Sequence, residues 1–187
     1  MNIAHIEENS FIYGPGCRFA VWVQGCSICC AGCWNTEMWS FDNNILLSIS
    51  KLVQKIKIEI PHIEGITVLG GEPLDQYKEV MQLLTETRKL ELSTMLFTGY
   101  TMQEIKEKQM TDILKVTDII ITDRYEQDKR TLDRQWIGST NQQILFITDR
   151  YNECCIENGN YIELTLNENG SETILGFPTD DTKILIN

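Results

Sequence analysis

Residues 65–99 read GITVLGGEPLDQYKEVMQLLTETRKLELSTMLFTG, and their pattern decides the fold. The first run, Gly65 to Gly71, is short and apolar on both faces, as a strand inside a covered sheet must be. From Asp75 to Leu90 the period changes. Val80, Leu83, Leu84 and Leu90 recur at helical spacing with charges on the opposite side. Thr94 to Gly99 is again a strand. A strand, a helix and a strand in immediate succession make a crossover unit whose two strands lie parallel.

The same alternation continues outward. Arg18 to Gly25 (RFAVWVQG) precedes the unit as a strand candidate, and Asp118 to Asp123 (DIIITD) and Gln143 to Asp149 (QILFITD) follow it. Ile45 to Ile60 carries Ile45, Ile49, Leu52, Val53 and Ile56 at helical spacing, and Thr101-Met-Gln-Glu104 reads as a capping box opening a further short helix. The class is therefore α/β: a partial (β/α) barrel or an open, mostly parallel sheet of about five to six strands with flanking helices. In either form ligands gather at the carboxyl ends of the strands. From Tyr161 the text alternates, YIELTLNENGSETILGFP, with Glu168-Asn-Gly170 as turn residues, which predicts a C-terminal β-hairpin. A chain of 187 residues is read as one domain, 1–187, with a core over about 11–150 and a hairpin extension over about 151–187.

Charge narrows the partners. With 27 acidic and 16 basic residues the net charge is −11, a field that repels nucleic-acid backbones and anionic membranes. No apolar run approaches the roughly 18–20 residues of a membrane span, and MNIAHIEENS has no basic-then-apolar signal pattern. The expectation is a cytoplasmic protein with no membrane or nucleic-acid partner.

The chain has 7 cysteines, Cys17, Cys26, Cys29, Cys30, Cys33, Cys154 and Cys155. Residues 25–35, GCSICCAGCWN, hold four of them directly after the first strand candidate, where a site belongs. Two parsings compete: Cys26, Cys30 and Cys33 as C-x3-C-x2-C with Cys29 a bystander, or two abutting C-x2-C pairs. Paired knuckles hold structural zinc when a dozen or more residues separate them, and here they abut. Three thiolates on one loop instead suit an iron–sulfur cube whose fourth iron lacks a protein ligand. Buried, inert thiols are the plain alternative. Cys17 is expected to pack, and Cys154 and Cys155 to be core thiols on a loop, with an accessory redox pair as the alternative.

The C-x3-C-x2-C spacing resembles the signature of the radical S-adenosylmethionine enzymes. Gly14-Pro-Gly16, Arg18, Val23-Gln-Gly-Cys26, Gly32-Cys33, Asn35 and Trp39 resemble the anaerobic ribonucleotide reductase activating proteins and related glycyl-radical-enzyme activases. Leu69-Gly-Gly-Glu-Pro-Leu74 and Phe97-Thr-Gly-Tyr-Thr101 extend the likeness at later strand ends. The segment from Asp118 to Tyr125 has Arg124 in place of the family's usual glycine. Trp136-Ile-Gly-Ser-Thr-Asn-Gln142 has Ile137 where the family usually has arginine. The likeness spans about residues 11–147.

The resemblance implies a [4Fe-4S] cluster held by Cys26, Cys30 and Cys33, with S-adenosylmethionine chelating the open iron. It implies that Glu72 meets the methionyl ammonium and that Gly32, Trp34, Asn35, Thr98 and Gly99 complete the cofactor site; Gly70 and Gly71, having no side chains, let a ligand approach the backbone and permit the turn. An electron from a flavodoxin- or ferredoxin-like donor would cleave the sulfonium to methionine and a 5′-deoxyadenosyl radical, which takes hydrogen from a glycyl radical enzyme or a peptide. Such chemistry requires no general acid or base, in keeping with only 2 histidines, His5 and His62, neither beside a motif. Asp123, Arg124 and Tyr125 are expected near the mouth, as substrate contacts or as caps. Two other functions stay open: a stand-alone radical enzyme acting on a peptide or small molecule, and a non-enzymatic iron–sulfur or zinc module.

Overall fold

The structure, a computed structural model, describes residues 1–42, 44–166 and 172–177. Strands β1 (Asn2–Ser10), β2 (Arg18–Val23) and the short β3 (Ile45–Leu46) come first. Helix α1 (Ile49–Glu59), strand β4 (Gly65–Gly70), helix α2 (Tyr77–Arg88), strand β5 (Ser93–Phe97) and helix α3 (Met102–Glu107) follow, then strands β6 (Ile119–Thr122) and β7 (Gln143–Phe146). A separate hairpin of β8 (Ile162–Leu166) and β9 (Glu172–Gly176) comes last. Among the described residues no helix is long and apolar enough to cross a membrane.

The main sheet has seven strands in the order β3-β1-β2-β4-β5-β6-β7 and is open at both edges. Its middle is parallel as expected: β2 with β4, β4 with β5, and β5 with β6. Its margins are not. β1 runs antiparallel to β2 and β3, and β7 antiparallel to β6, so the sheet is parallel only in its four central strands. The reason at β7 is the connection. A parallel neighbour is usually reached through a helical crossover, whereas 123–142 has only a 3-10 turn at Gln127–Lys129 and folds back beside β6.

The helix expected over Ile45 to Ile60 begins later. Ser48 caps it, its side chain accepting from Lys51 N at 3.3 Å, while Ile45 and Leu46 pair with Ile3 and Asn2. α2 likewise starts at Tyr77, after a 3-10 turn at Pro73–Gln76. The capping box of α3 forms as expected: Thr101 Oγ1 accepts from Glu104 N at 3.2 Å, and Glu104 Oε2 from Thr101 N at 2.9 Å.

Period-2 alternation divides the sheet into two environments. Phe19, Val21, Val23, Ile66, Val68, Leu96 and Ile120 face α1, α2 and α3, and form the main core with Leu52, Ile56, Val80, Leu83, Leu84 and Ile105. Each large side chain buried there stabilises the fold by roughly 1.5–3 kcal/mol. Ala20, Trp22, Leu69, Met95, Ile119 and Ile121 face the other way, where among the described residues no α-helix covers them; Met38, the 136–137 loop and Leu175 of the hairpin do so instead. The strands, apolar on both faces, were expected inside a covered sheet; among the described residues the α-helices cover one face and loops and the hairpin the other. The hairpin expected from residue 161 is present, with Ile162 opposite Gly176 and Leu166 opposite Glu172; its expected turn, Glu168 to Gly170, lies outside the described residues.

Candidate functional site

The helix-free face leaves a cavity of about 510 Å³ that opens at the carboxyl ends of β2, β4, β5 and β6. Its size is that of a small-molecule site. Cys26, Cys30 and Cys33 line it together with Gly32, Trp34, Asn35, Gly70, Gly71, Glu72, Thr98 and Gly99, so the residues expected at the cluster and the cofactor border one space. His5 and His62 do not, nor do Cys17, Cys29, Cys154 and Cys155.

The cysteine loop is closed at its base by backbone pairing: Gly25 N donates to Met38 O at 2.9 Å and Cys26 N to Trp39 O at 3.1 Å. Its ascending limb is tied to the next strand ends. Ser27 N and Oγ donate to the two Asp75 carboxylate oxygens at 2.7 and 2.9 Å, and the Tyr100 hydroxyl donates to Asp75 Oδ1 at 2.9 Å. Sequence reasoning missed Asp75 and Tyr100. The only local signal was a serine directly after Cys26.

Cys26 is buried and Cys30 and Cys33 are half-buried. Burial pushes the Cys26 and Cys30 thiols up, opposed at Cys26 by the Cys29 and Ile28 backbones and at Cys30 by that of Tyr125. Cys29 is different. It is exposed, has φ +50°, and donates its thiol to Cys26 O at 3.2 Å. Among the described residues no three Cys, His, Asp or Glu converge on a point as ligands of a single ion would. A cube gives each of three thiolates its own iron and needs them spread around it.

Glu72 is 1 % exposed. Its Oε1 accepts from Leu74 N at 2.8 Å and Thr98 Oγ1 at 2.7 Å, and its Oε2 from Gly99 N at 2.8 Å. Burial raises its pKa to about 7 despite those bonds, and among the described residues no cation pairs with it. A buried carboxylate at a cavity wall could accept a cationic ligand there. Two indole N–H groups from cavity-lining residues, Trp39 and Trp136, are also buried without an acceptor among the described residues, and a ligand rich in heteroatoms would supply one.

The glycines at 70 and 71 permit the expected turn and, beyond it, a close backbone approach. Gly70 has φ +108°, and a Cβ on Gly71 would lie 2.2 Å from Gly25 O, because Gly71 N and Glu72 N donate to Val23 O and Gly25 O. They are small so that β4 can close against the cysteine loop, and they border the cavity as a consequence.

The fourth strand end divides its residues. Asp123 and Tyr125 line the cavity, whereas Arg124 turns to Glu104 in a two-pronged pair at 2.7 Å on each side, which holds the Glu104 carboxyl down at about 2. The Trp136 to Gln142 segment braces that end. Gln142 accepts from Gly138 N at 2.8 Å and donates to Asp123 O, Asn141 donates to Arg124 O at 2.9 Å, and Ile137 is buried beside Ile119 and Ile121. An aliphatic residue at 137 thus fills core. Cys17 packs as expected; Cys155, half-buried on a 3-10 turn, packs against the core beside Trp136 and Ile137, whereas Cys154 is exposed and is not core.

A family model described as a 4Fe-4S single cluster domain matches residues 12–145. The anaerobic ribonucleoside-triphosphate reductase-activating protein of Enterobacteria phage T4 is 34 % identical over 154 residues, covering 80 % of this chain and 96 % of the relative. The chain belongs to this family. Relatives of the same name in Pasteurella multocida and Escherichia coli K12 are 29 % and 24 % identical over 157 and 153 residues, covering 79 % and 77 % of this chain and 99 % and 97 % of themselves. The matched stretch of the 4Fe-4S family runs from just before β2 to the middle of β7, so it contains the cysteine loop and ends before the hairpin.

Proposed function

We propose that this chain is an activase that holds a [4Fe-4S] cluster on Cys26, Cys30 and Cys33, binds S-adenosylmethionine beside it, and places a glycyl radical on an anaerobic ribonucleotide reductase. Those groups, when bound, supply the electron and the 5′-deoxyadenosyl radical that takes hydrogen from the partner's glycine. The chain's own residues bind, orient and exclude water. Asp75 and Tyr100 fix the cysteine loop through Ser27. Glu72, held by Leu74, Thr98 and Gly99, meets the ligand ammonium. Leu69, Phe97 and Ile121 line the cavity floor and keep it dry.

The observation that carries this reading is that three of the loop's four thiols share one cavity with a buried carboxylate that has no counter-ion among the described residues, while the fourth, Cys29, turns away. The names of the relatives support the choice of partner. A flavodoxin- or ferredoxin-like protein is the electron donor in this reading. The test is anaerobic: the reconstituted protein, S-adenosylmethionine, a reductant and an anaerobic ribonucleotide reductase are mixed and frozen for electron paramagnetic resonance. A glycyl radical signal that requires all components is expected. Cleavage of the cofactor with no radical on the reductase would reject the activase assignment in favour of a stand-alone enzyme.

A further inference from the structure

The hairpin β8–β9 lies beyond the stretch matched by the family model, yet it forms part of the cavity wall through Asn160, Tyr161, Gly176 and Phe177. Its seating is specific. Leu175 is buried with Ala20, Trp22 and Leu69 on the helix-free face of the sheet. Gly176 N donates to the Tyr13 hydroxyl at 2.8 Å, and the Ser10 hydroxyl donates to Glu163 Oε2 at 2.7 Å. Gly176 has φ +97°, and a Cβ there would lie 2.6 Å from Tyr161 O, so only glycine lets β9 end this close to β8.

The next residue reaches the cysteine loop. Asn160 Nδ2 donates to Phe177 O at 2.7 Å, and the Phe177 ring meets the Trp34 ring edge-on, with centroids 5.9 Å apart at 78°. Trp34 directly follows Cys33 and is 43 % exposed, so core burial alone does not fix its place. An edge-on aromatic pair is strong enough to bias a loop between two positions about two- to tenfold.

We propose that Phe177 is a positioning residue and the hairpin the outer wall of the thiol cavity. Phe177 holds Trp34, and with it the Cys33 end of the loop, against the cavity, and so limits access of solvent and oxidants to Cys30 and Cys33. The proposal rests on the activase reading only for what the thiols hold. The cover itself is a property of the chain.

The test uses the full chain, reduced and free of iron, treated anaerobically with iodoacetamide while the modification of each cysteine is followed by peptide mass spectrometry. Phe177→Ala is expected to speed alkylation of Cys30 and Cys33 about two- to tenfold, to leave the exposed Cys29 and Cys154 unchanged, and to leave the buried Cys17 protected. Phe177→Tyr, which keeps the ring edge, restores the slow rates. Unchanged rates at Cys30 and Cys33 would overturn the proposal. So would an equal rise at Cys17, since Phe177 would then act through the stability of the whole fold. The assay involves neither a cluster nor S-adenosylmethionine, so a failed cleavage experiment leaves its result standing.

Discussion

Replacing Glu72 by glutamine separates ligand recognition from folding. In the ligand-free protein burial raises the carboxyl's pKa to about 7, from an ordinary 4.5. A group raised in the folded state contributes stability that is fully present below its unfolded pKa and is lost as pH rises through the folded one. Wild type should therefore gain about 3 kcal/mol between pH 7 and pH 4.5 from this group alone. Glu72→Gln has no charge to bury and should lose that dependence. Its amide can still accept two of the three hydrogen bonds but turns an N–H toward a third donor, at a cost of about 1–3 kcal/mol. Binding should respond much more. A desolvated ammonium left without its carboxylate forfeits about 2–5 kcal/mol, at least about 30-fold in Kd. The assay is anaerobic calorimetric titration of S-adenosylmethionine into reconstituted wild type and variant, with urea unfolding at both pH values. A variant that binds within about threefold of wild type would refute the assignment of Glu72 to the ammonium.

Serine at Cys30 is expected to abolish iron retention, whereas serine at Cys29, whose thiol points to Cys26 O, leaves it near wild type; iron and sulfide analysis after reconstitution decides between the two parsings of the loop. Asp75→Ala removes both anchors of Ser27 and should speed loss of the cluster to a chelator, with Tyr100→Phe giving a smaller effect, followed by visible absorbance. Leu84→Ala, at a side chain with no exposure, should cost about 2–5 kcal/mol in urea unfolding without altering the affinity for S-adenosylmethionine.

The central crossover unit was legible because its strands are wholly buried and its helix is one-sided, so residues 65–99 carry both periods without interruption. β1 was not legible. It is a half-exposed strand beside the sheet edge, with His5, Glu7 and Glu8 among its residues, and its pattern of burial is broken by register shifts against β2. The direction of β7 depends on the connection before it, which apolar pattern does not record. Ile45 and Leu46 fitted a helical period but are drawn into a bridge with β1 because Ser48 caps the helix after them. At the site, residue types and strand-end positions brought Cys26, Cys30, Cys33 and Glu72 to one cavity. For Gly70 and Gly71 the turn was legible and the close packing against Gly25 was not, since that contact is a tertiary fact. The Asp75 clamp and the hairpin wall join residues far apart in sequence, and no local pattern announces such contacts.

The most direct test of the central claim is the formation of 5′-deoxyadenosine by the anaerobically reconstituted protein given S-adenosylmethionine and a strong reductant. The account predicts that the product appears with wild type and with Cys29→Ser, and is absent with alanine at Cys26, Cys30 or Cys33. A fully loaded cluster that yields no 5′-deoxyadenosine, with or without the reductase present, would contradict it.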